Sequence, residues 1–160
     1  KVSFIKESKP LGTAGSLSLL KHRLSSTFFV TNCDIIIDQD YGDILNYHRK
    51  NNNELTIVAA LRHIPIAYGT IETTSEGLLE SMREKPEILL KVNSGMYVLE
   101  PSVIDEIPAD TFFHITDLIE ILKTQDRRVG VFPVSQGSWT DIGNWGEYLS
   151  FLEKDKDINL

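Results

Sequence analysis

The chain has 160 residues, 41% hydrophobic and 24% charged, with a formal net charge of -7 and one cysteine. That length fits a single domain able to bury a core without staples, and a lone cysteine excludes an internal disulfide framework and suits a reducing cytoplasm. The acidic balance argues against a nucleic-acid groove. No apolar run reaches the roughly 20 residues of a membrane span, while a small phosphorylated ligand, needing only one or two local cations, stays open.

In chain order, "VSFIKE" (2–7) is expected to form a strand. The glycine-rich "KPLGTAGSL" (9–17) follows it, and "SLSLLKHRL" (16–24) carries Leu17, Leu20 and Leu24 at helical spacing. "TFFVTNCD" (27–34) is a β-branched and aromatic run expected as a buried parallel strand. Asp40 is placed to cap a helix over "YGDILNYHRKNN", with Ile44, Leu45 and His48 on one face. "LTIVAALR" (55–62) is a further apolar strand, and "YGTIET" (68–73) and "LLESMREK" (78–85) flank the turn "TSEG" as a hairpin. "NSGMYVLE" (93–100) is a strand followed by a short Pro101-led helix. "HITDLIEILKTQ" (114–125) is an amphipathic helix, "VGVFPVS" (129–135) the last strand, and Asn144 with Glu147 a capping pair for a closing helix. This alternation predicts an α/β layered domain with an open, mixed, mostly parallel sheet flanked by helices, the hairpin forming a small antiparallel flap.

Ligands of such sheets gather at the carboxyl ends of the strands, so the polar residues that end the apolar runs are the candidates. Asp34 and Asp141 each follow a strand run and suit Mg²⁺, which takes one or two protein carboxylates and completes its octahedron with water and phosphate. Each also has an ordinary structural reading as a turn or loop cap, and spacing alone does not bring them together. Lys85, beside a stiffening proline, is a natural phosphate partner, although most lysines are simply solvated; the same applies to Glu84. Gly95 and Gly69 lie within apolar strands, where glycine marks a bulge, a bend or close approach by a ligand. "LGTAG" matches neither a Walker loop nor the dinucleotide spacing. The four histidines show no metal-ligand spacing, and Cys33 is expected to pack inward as buried lone cysteines do.

The ordered set "KPLGTAGSL", "FFVTNCDIIID", "AYGTI", "REKP", "NSGMYVLEP", "SWTDIGNW" resembles the sugar-1-phosphate nucleotidyltransferases, or NDP-sugar pyrophosphorylases, over nearly the whole chain. The "WTDIG" ending is similar to the mannose-1-phosphate guanylyltransferase-like branch. The resemblance implies a Rossmann-like nucleotide-diphospho-sugar transferase fold and a reaction in which a sugar 1-phosphate oxygen attacks the α-phosphorus of a nucleoside triphosphate. It implies that Leu11, Gly12, Thr13 and Ala14 line the nucleoside pocket, that Asp34 and Asp141 hold Mg²⁺, and that Lys85 grips the sugar phosphate. Glu84, Tyr68, Gly69, Asn93 and Gly95 would frame the sugar. GTP is the favoured triphosphate, no membrane or nucleic-acid partner is implied, and a homo-oligomer stays open.

The family opens with a glycine-rich, arginine-bearing loop that holds the triphosphate, and nothing similar precedes Lys9 here. Residues 1–160 are therefore expected to be one nucleotidyltransferase domain lacking its N-terminal strand-loop-helix portion, inactive in isolation, with a degenerate domain as the other option. Two further readings stand beside the transferase: a module that senses an NDP-sugar or sugar phosphate without catalysis, and a metal-dependent glycosyltransferase using "DQD" (38–40).

Overall fold

The structure, a computed structural model, describes residues 2–143 together with 146, 148 and 149. In chain order its strands are β1 (Phe28–Thr31), β2 (Ile35–Ile37), β3 (Leu55–Pro65), β4 (Thr70–Thr73), β5 (Leu79–Arg83), β6 (Glu87–Leu99), β7 (Val129–Val134) and β8 (Trp139–Asp141). The helices are α1 (Gly12–Gly15), α2 (Tyr41–Lys50) and α3 (Ile115–Thr124), with 3₁₀ turns over Ser16–Leu20, Pro101–Glu106 and Gln136–Ser138.

The central sheet has the spatial order β1-β6-β3-β7. Three of its strands run the same way, and the reversed strand, β6, lies between β1 and β3, so the sheet is mixed while its dominant direction is parallel. The expected α/β architecture is present, as is the hairpin: β4 and β5 form a separate antiparallel ribbon. A second ribbon, β2 with β8, pairs Ile35 with Asp141 and Ile37 with Trp139.

Period-two alternation along the sheet strands builds a core on each face. Leu55, Tyr97 and Leu99 point to one side, where Ala14, Leu17, Phe113, Leu118 and Leu122 cover them. Val58, Ala60, Met96, Val98 and Val134 point to the other, against Ile37 and Ile44. Burying each of the large aliphatic side chains contributes about 1.5–3 kcal/mol. The helix α2 starts where the sequence indicates, the Asp40 carboxylate accepting from Gly42 N at 2.7 Å, and Arg49 and Lys50 fall in its last turn, where the helix dipole favours cations. At α3, His114 N donates to Asp117 Oδ2 at 2.8 Å, closing a capping box.

Four expectations are corrected. Residues 2–7 form no strand, because no described segment supplies a ladder partner, and Val2 and Phe4 stand exposed. The helix expected over 16–24 is a short turn of α-helix from Gly12 running into the 3₁₀ turn, which ends at Leu20. The β1 strand is half-buried at the sheet edge and antiparallel to its partner, since β6 rather than a parallel strand lies beside it. Cys33 is exposed, because it sits in the tight turn between β1 and β2 instead of facing a helix. The expected Asn144–Glu147 cap lies outside the described residues. Among those described, no helix is long and apolar enough to cross a membrane.

Candidate active site

The three co-directional strands of the central sheet end on one side, and the chain turns there into the candidate residues. Just past β1 come Asn32, Cys33 and Asp34; past β7 the chain passes through a 3₁₀ turn into β8 and Asp141. The β2–β8 pairing draws these two ends together, and Ile142 N donates to Asp34 O at 2.8 Å. A Cβ added to Gly143 would lie 2.9 Å from Asp34 Oδ2 and 3.0 Å from Asp141 Oδ1, so both carboxylates border one small space. Asp141 Oδ1 also accepts from Gly143 N at 2.8 Å, the turn-capping role open to it from sequence. Asp34 Oδ1 is buried and has no hydrogen-bond partner among the described residues. A buried, unpartnered carboxylate oxygen is costly; the other oxygen of the same group, Oδ2, is the one that borders the space shared with Asp141. Two carboxylates on one space fit Mg²⁺, which fills its remaining positions with water and phosphate.

The β6 bulge forms the floor beside this pair. The β3–β6 register shifts between Val58 and Ala59, which pair with Met96 and Asn93 and leave Ser94 and Gly95 as the extra residues. Gly95 has φ +84, a left-handed conformation that favours glycine, and a Cβ there would lie 2.8 Å from Asn32 Nδ2, so the Asn32 side chain packs directly on it. Asn93 Oδ1 accepts from Gly95 N at 3.1 Å and Asn93 Nδ2 donates to Tyr97 OH at 2.7 Å, which fixes the amide's orientation. Burial pushes the Tyr97 phenol above its ordinary value of 10.0, while the Asn93 amide pulls the other way. Ser94 Oγ donates to Val58 O at 2.7 Å and Ser94 O accepts from Trp139 Nε1 at 3.1 Å, so the irregular backbone is held from both sides.

A second group sits on the β4–β5 ribbon at the outer end of the β3–β6 arm. Tyr68 and Lys85 are exposed there, and Glu84 Oε2 lies 3.1 Å from where a Cβ on Gly69 would sit. Lys85 has φ +44 although it precedes proline, a position that disfavours helical backbone on either side.

The third group, Leu11 to Ala14, is bound to the start of α3. Phe113 N donates to Leu11 O at 2.9 Å, and Ala14 N and Gly15 N both donate to Phe113 O, at 3.0 and 3.1 Å. Thr13 Oγ1 accepts from Ile115 N at 3.0 Å. Gly12 has φ +79 and a Cβ there would meet Phe113 O at 2.7 Å. Leu11 N is also occupied, donating to Glu7 Oε2 at 3.2 Å, so three amides of the loop are engaged within the chain. Among the described residues no hydrogen bond or ion pair links one of the three groups to another.

The β2–β8 ribbon went unanticipated, and it is what unites the two aspartates. The β-branched triplet Ile35–Ile37 directly after Asp34 is the sequence signal that points to it. Asp40 of "DQD" is engaged as the α2 cap, which weighs against a metal role there.

Residues 1–158 match the family described as nucleotidyl transferase, and the chain belongs to that family. It is 32% identical over 157 residues to mannose-1-phosphate guanyltransferase beta-B of Xenopus laevis, covering 94% of this chain and 43% of that protein. It is 34% identical to mannose-1-phosphate guanyltransferase of Schizosaccharomyces pombe, covering 93% of this chain and 42% of that one. The chain therefore spans less than half the length of these curated relatives. The crystal structure of HddC from Yersinia pseudotuberculosis superposes with TM-score 0.68 at 26% identity, over 96% of this chain and 67% of that one; HddC has also been crystallised with GMP-PN.

Proposed function

We propose that the protein carrying this chain transfers a nucleoside monophosphate from a nucleoside triphosphate to a sugar 1-phosphate, releasing pyrophosphate and forming an NDP-sugar, with GTP and mannose 1-phosphate as the favoured pair. The observation that carries this reading is the meeting of Asp34 and Asp141 across the β2–β8 ribbon, with one Asp34 oxygen buried and without a hydrogen-bond partner among the described residues. Membership of the family and the names of the relatives support it.

Asp34 and Asp141 would hold Mg²⁺, which when bound supplies neutralising charge to the phosphates. Lys85 adds a positive charge for the sugar phosphate, and its backbone conformation sets the direction in which the long stem leaves the ribbon. Glu84 and Asn93 offer acceptors and a donor to sugar hydroxyls, with Tyr68, Gly69 and Gly95 shaping the wall. Gly12 and Thr13 border the nucleoside, while Leu11 and Ala14, buried beneath them, hold the loop in place. The joining of two anions needs charge compensation and alignment more than covalent help, and positioning alone is worth up to about 7–11 kcal/mol in favourable cases.

The test is pyrophosphate release by the intact protein with Mg²⁺, across a panel of nucleoside triphosphates and sugar 1-phosphates. GTP with mannose 1-phosphate is expected to be fastest. No release with any pair overturns the reading, and tight NDP-sugar binding without turnover favours the sensing module. Residues 1–160 alone are expected to turn over little, and robust release by them would correct that expectation.

A further inference from the structure

The ribbon that carries the two aspartates is small. The β2 and β8 strands share only three residue pairs, Ile35 with Asp141, Ile36 with Thr140 and Ile37 with Trp139, and belong to neither the central sheet nor the hairpin ribbon. Two-stranded ribbons of this kind do not hold a place by themselves. The position of Asp141 relative to the sheet is therefore set by what the ribbon's side chains grip.

Trp139 is the main grip. It lies two residues before Asp141, its indole N–H reaches the β6 bulge at Ser94 O, and its ring packs on the apolar cluster around Val58 and Met96. The Arg62 guanidinium carbon stands 4.8 Å from the centroid of the same ring. Arg62 belongs to β3, on the face that also carries Val58 and Ala60, and is half-buried. Among the described residues no carboxylate pairs with it. A guanidinium lying over an indole is attracted to the ring's electron-rich face and restricts its tilt.

We propose that Arg62 is a positioning residue for the two-aspartate site, acting through Trp139: by stacking on the indole it fixes the start of β8 and hence where Asp141 faces Asp34. The metal part of this inference rests on the function proposed above; the placement of β8 does not.

The experiment uses the intact protein and Mn²⁺ as a paramagnetic probe, with free Mn²⁺ counted by electron paramagnetic resonance. Arg62→Met keeps the stem and removes the charge, and is expected to weaken Mn²⁺ binding about fivefold, the scale of one cation–π contact. Arg62→Lys keeps a cation over the ring and recovers part of that loss. In a Trp139→Phe background the Arg62→Met effect shrinks, because the partner through which it acts is altered. Hydrogen exchange gives a metal-independent reading: the Ile142 amide, bonded to Asp34 O across the ribbon, exchanges several-fold faster in Arg62→Met while amides within β3 and β6 keep their rates.

Unchanged or tighter Mn²⁺ binding in Arg62→Met, with unchanged Ile142 exchange, overturns the proposal. Equal weakening by Arg62→Met with and without the Trp139→Phe substitution also overturns it, since Arg62 would then act by another route. If the unmodified protein binds no Mn²⁺, the metal reading fails on its own, and Ile142 exchange still decides whether Arg62 positions the ribbon.

Discussion

The two ends of the central sheet are built on opposite rules. At the end where β1, β3 and β7 begin and β6 finishes, the polar side chains are matched. His48, fully buried, contacts Thr56 Oγ1 at 2.8 Å and Glu100 Oε1 at 3.2 Å; Asn53 Nδ2 donates to Thr56 Oγ1 at 3.0 Å and Thr27 to Glu100 at 2.7 Å. One proton arrangement satisfies all four, with the Thr56 hydroxyl donating to Nδ1 and Nε2–H donating to Glu100. Beside this network Arg127 bridges Glu54 and Glu106. At the opposite end Asp34 keeps a buried oxygen without a partner among the described residues, and Tyr68, Glu84 and Asn93 are exposed; left-handed backbone occurs at both ends, but at Asn52 and Asp126, types that tolerate it, on the first and at Lys85, before a proline, on the second. Matched polar groups hold a fold together, whereas unmatched or strained ones persist where something else is meant to complete them. The same strands thus carry satisfied polar groups at one end and, at the other, a buried carboxylate oxygen without a partner among the described residues.

That contrast can be broken at either end, and the largest effect is expected at the open one. Asp34→Asn or Asp141→Asn should lower nucleotidyl transfer by the intact protein about 10²–10³-fold, the scale of losing one preorganised charge at a phosphoryl centre. Asp34→Asn should leave the melting temperature unchanged or raise it, because the unpartnered charge is gone. A fall in stability without loss of turnover would assign Asp34 to the fold instead. Lys85→Gly should reduce transfer by about 10²-fold while relieving the left-handed backbone, worth up to about 1 kcal/mol in urea unfolding.

At the anchored end the signs reverse. Arg127→Met should destabilise by about 1–3 kcal/mol, less than for a fully buried pair because solvent reaches both carboxylates, with Mn²⁺ affinity unchanged. Its pH dependence follows from Glu54, whose carboxyl is held below its ordinary value of 4.5 first by the hydrogen bond from Arg127, with burial opposing and the Arg127 charge adding to the lowering. The folded state therefore binds that proton less readily than the unfolded state. The contribution is present above about pH 4.5 and is lost as pH falls through the depressed value; acid-unfolding curves of Arg127→Met should lack this component. Thr56→Val, which strands Asn53 Nδ2 and His48 Nδ1, should cost about 1–3 kcal/mol in thermal or urea unfolding and leave substrate KM unaffected.

Much of the fold was legible because short-range rules settle it. The Asp40 cap, the α3 periodicity of Ile115, Leu118 and Leu122, the "TSEG" hairpin and the glycine bulge in "NSGMY" depend on neighbours within a few residues, and all four are present. The apolar "VSFI" misled because a strand needs a partner, and pattern alone cannot supply one. Cys33 misled because alternation was carried past the end of β1 into a turn.

The family, the layered α/β class and the identity of the candidate carboxylates and lysine can all be read along the chain, since they rest on motif order and local periodicity. Three features took the folded molecule to establish: that Asp34 and Asp141 meet, that the amides of Ala14 and Gly15 are turned inward on Phe113, and that Arg62 lies over Trp139. Those are contacts between residues far apart in the chain, and their distances are set by strand pairing and side-chain packing across the sheet.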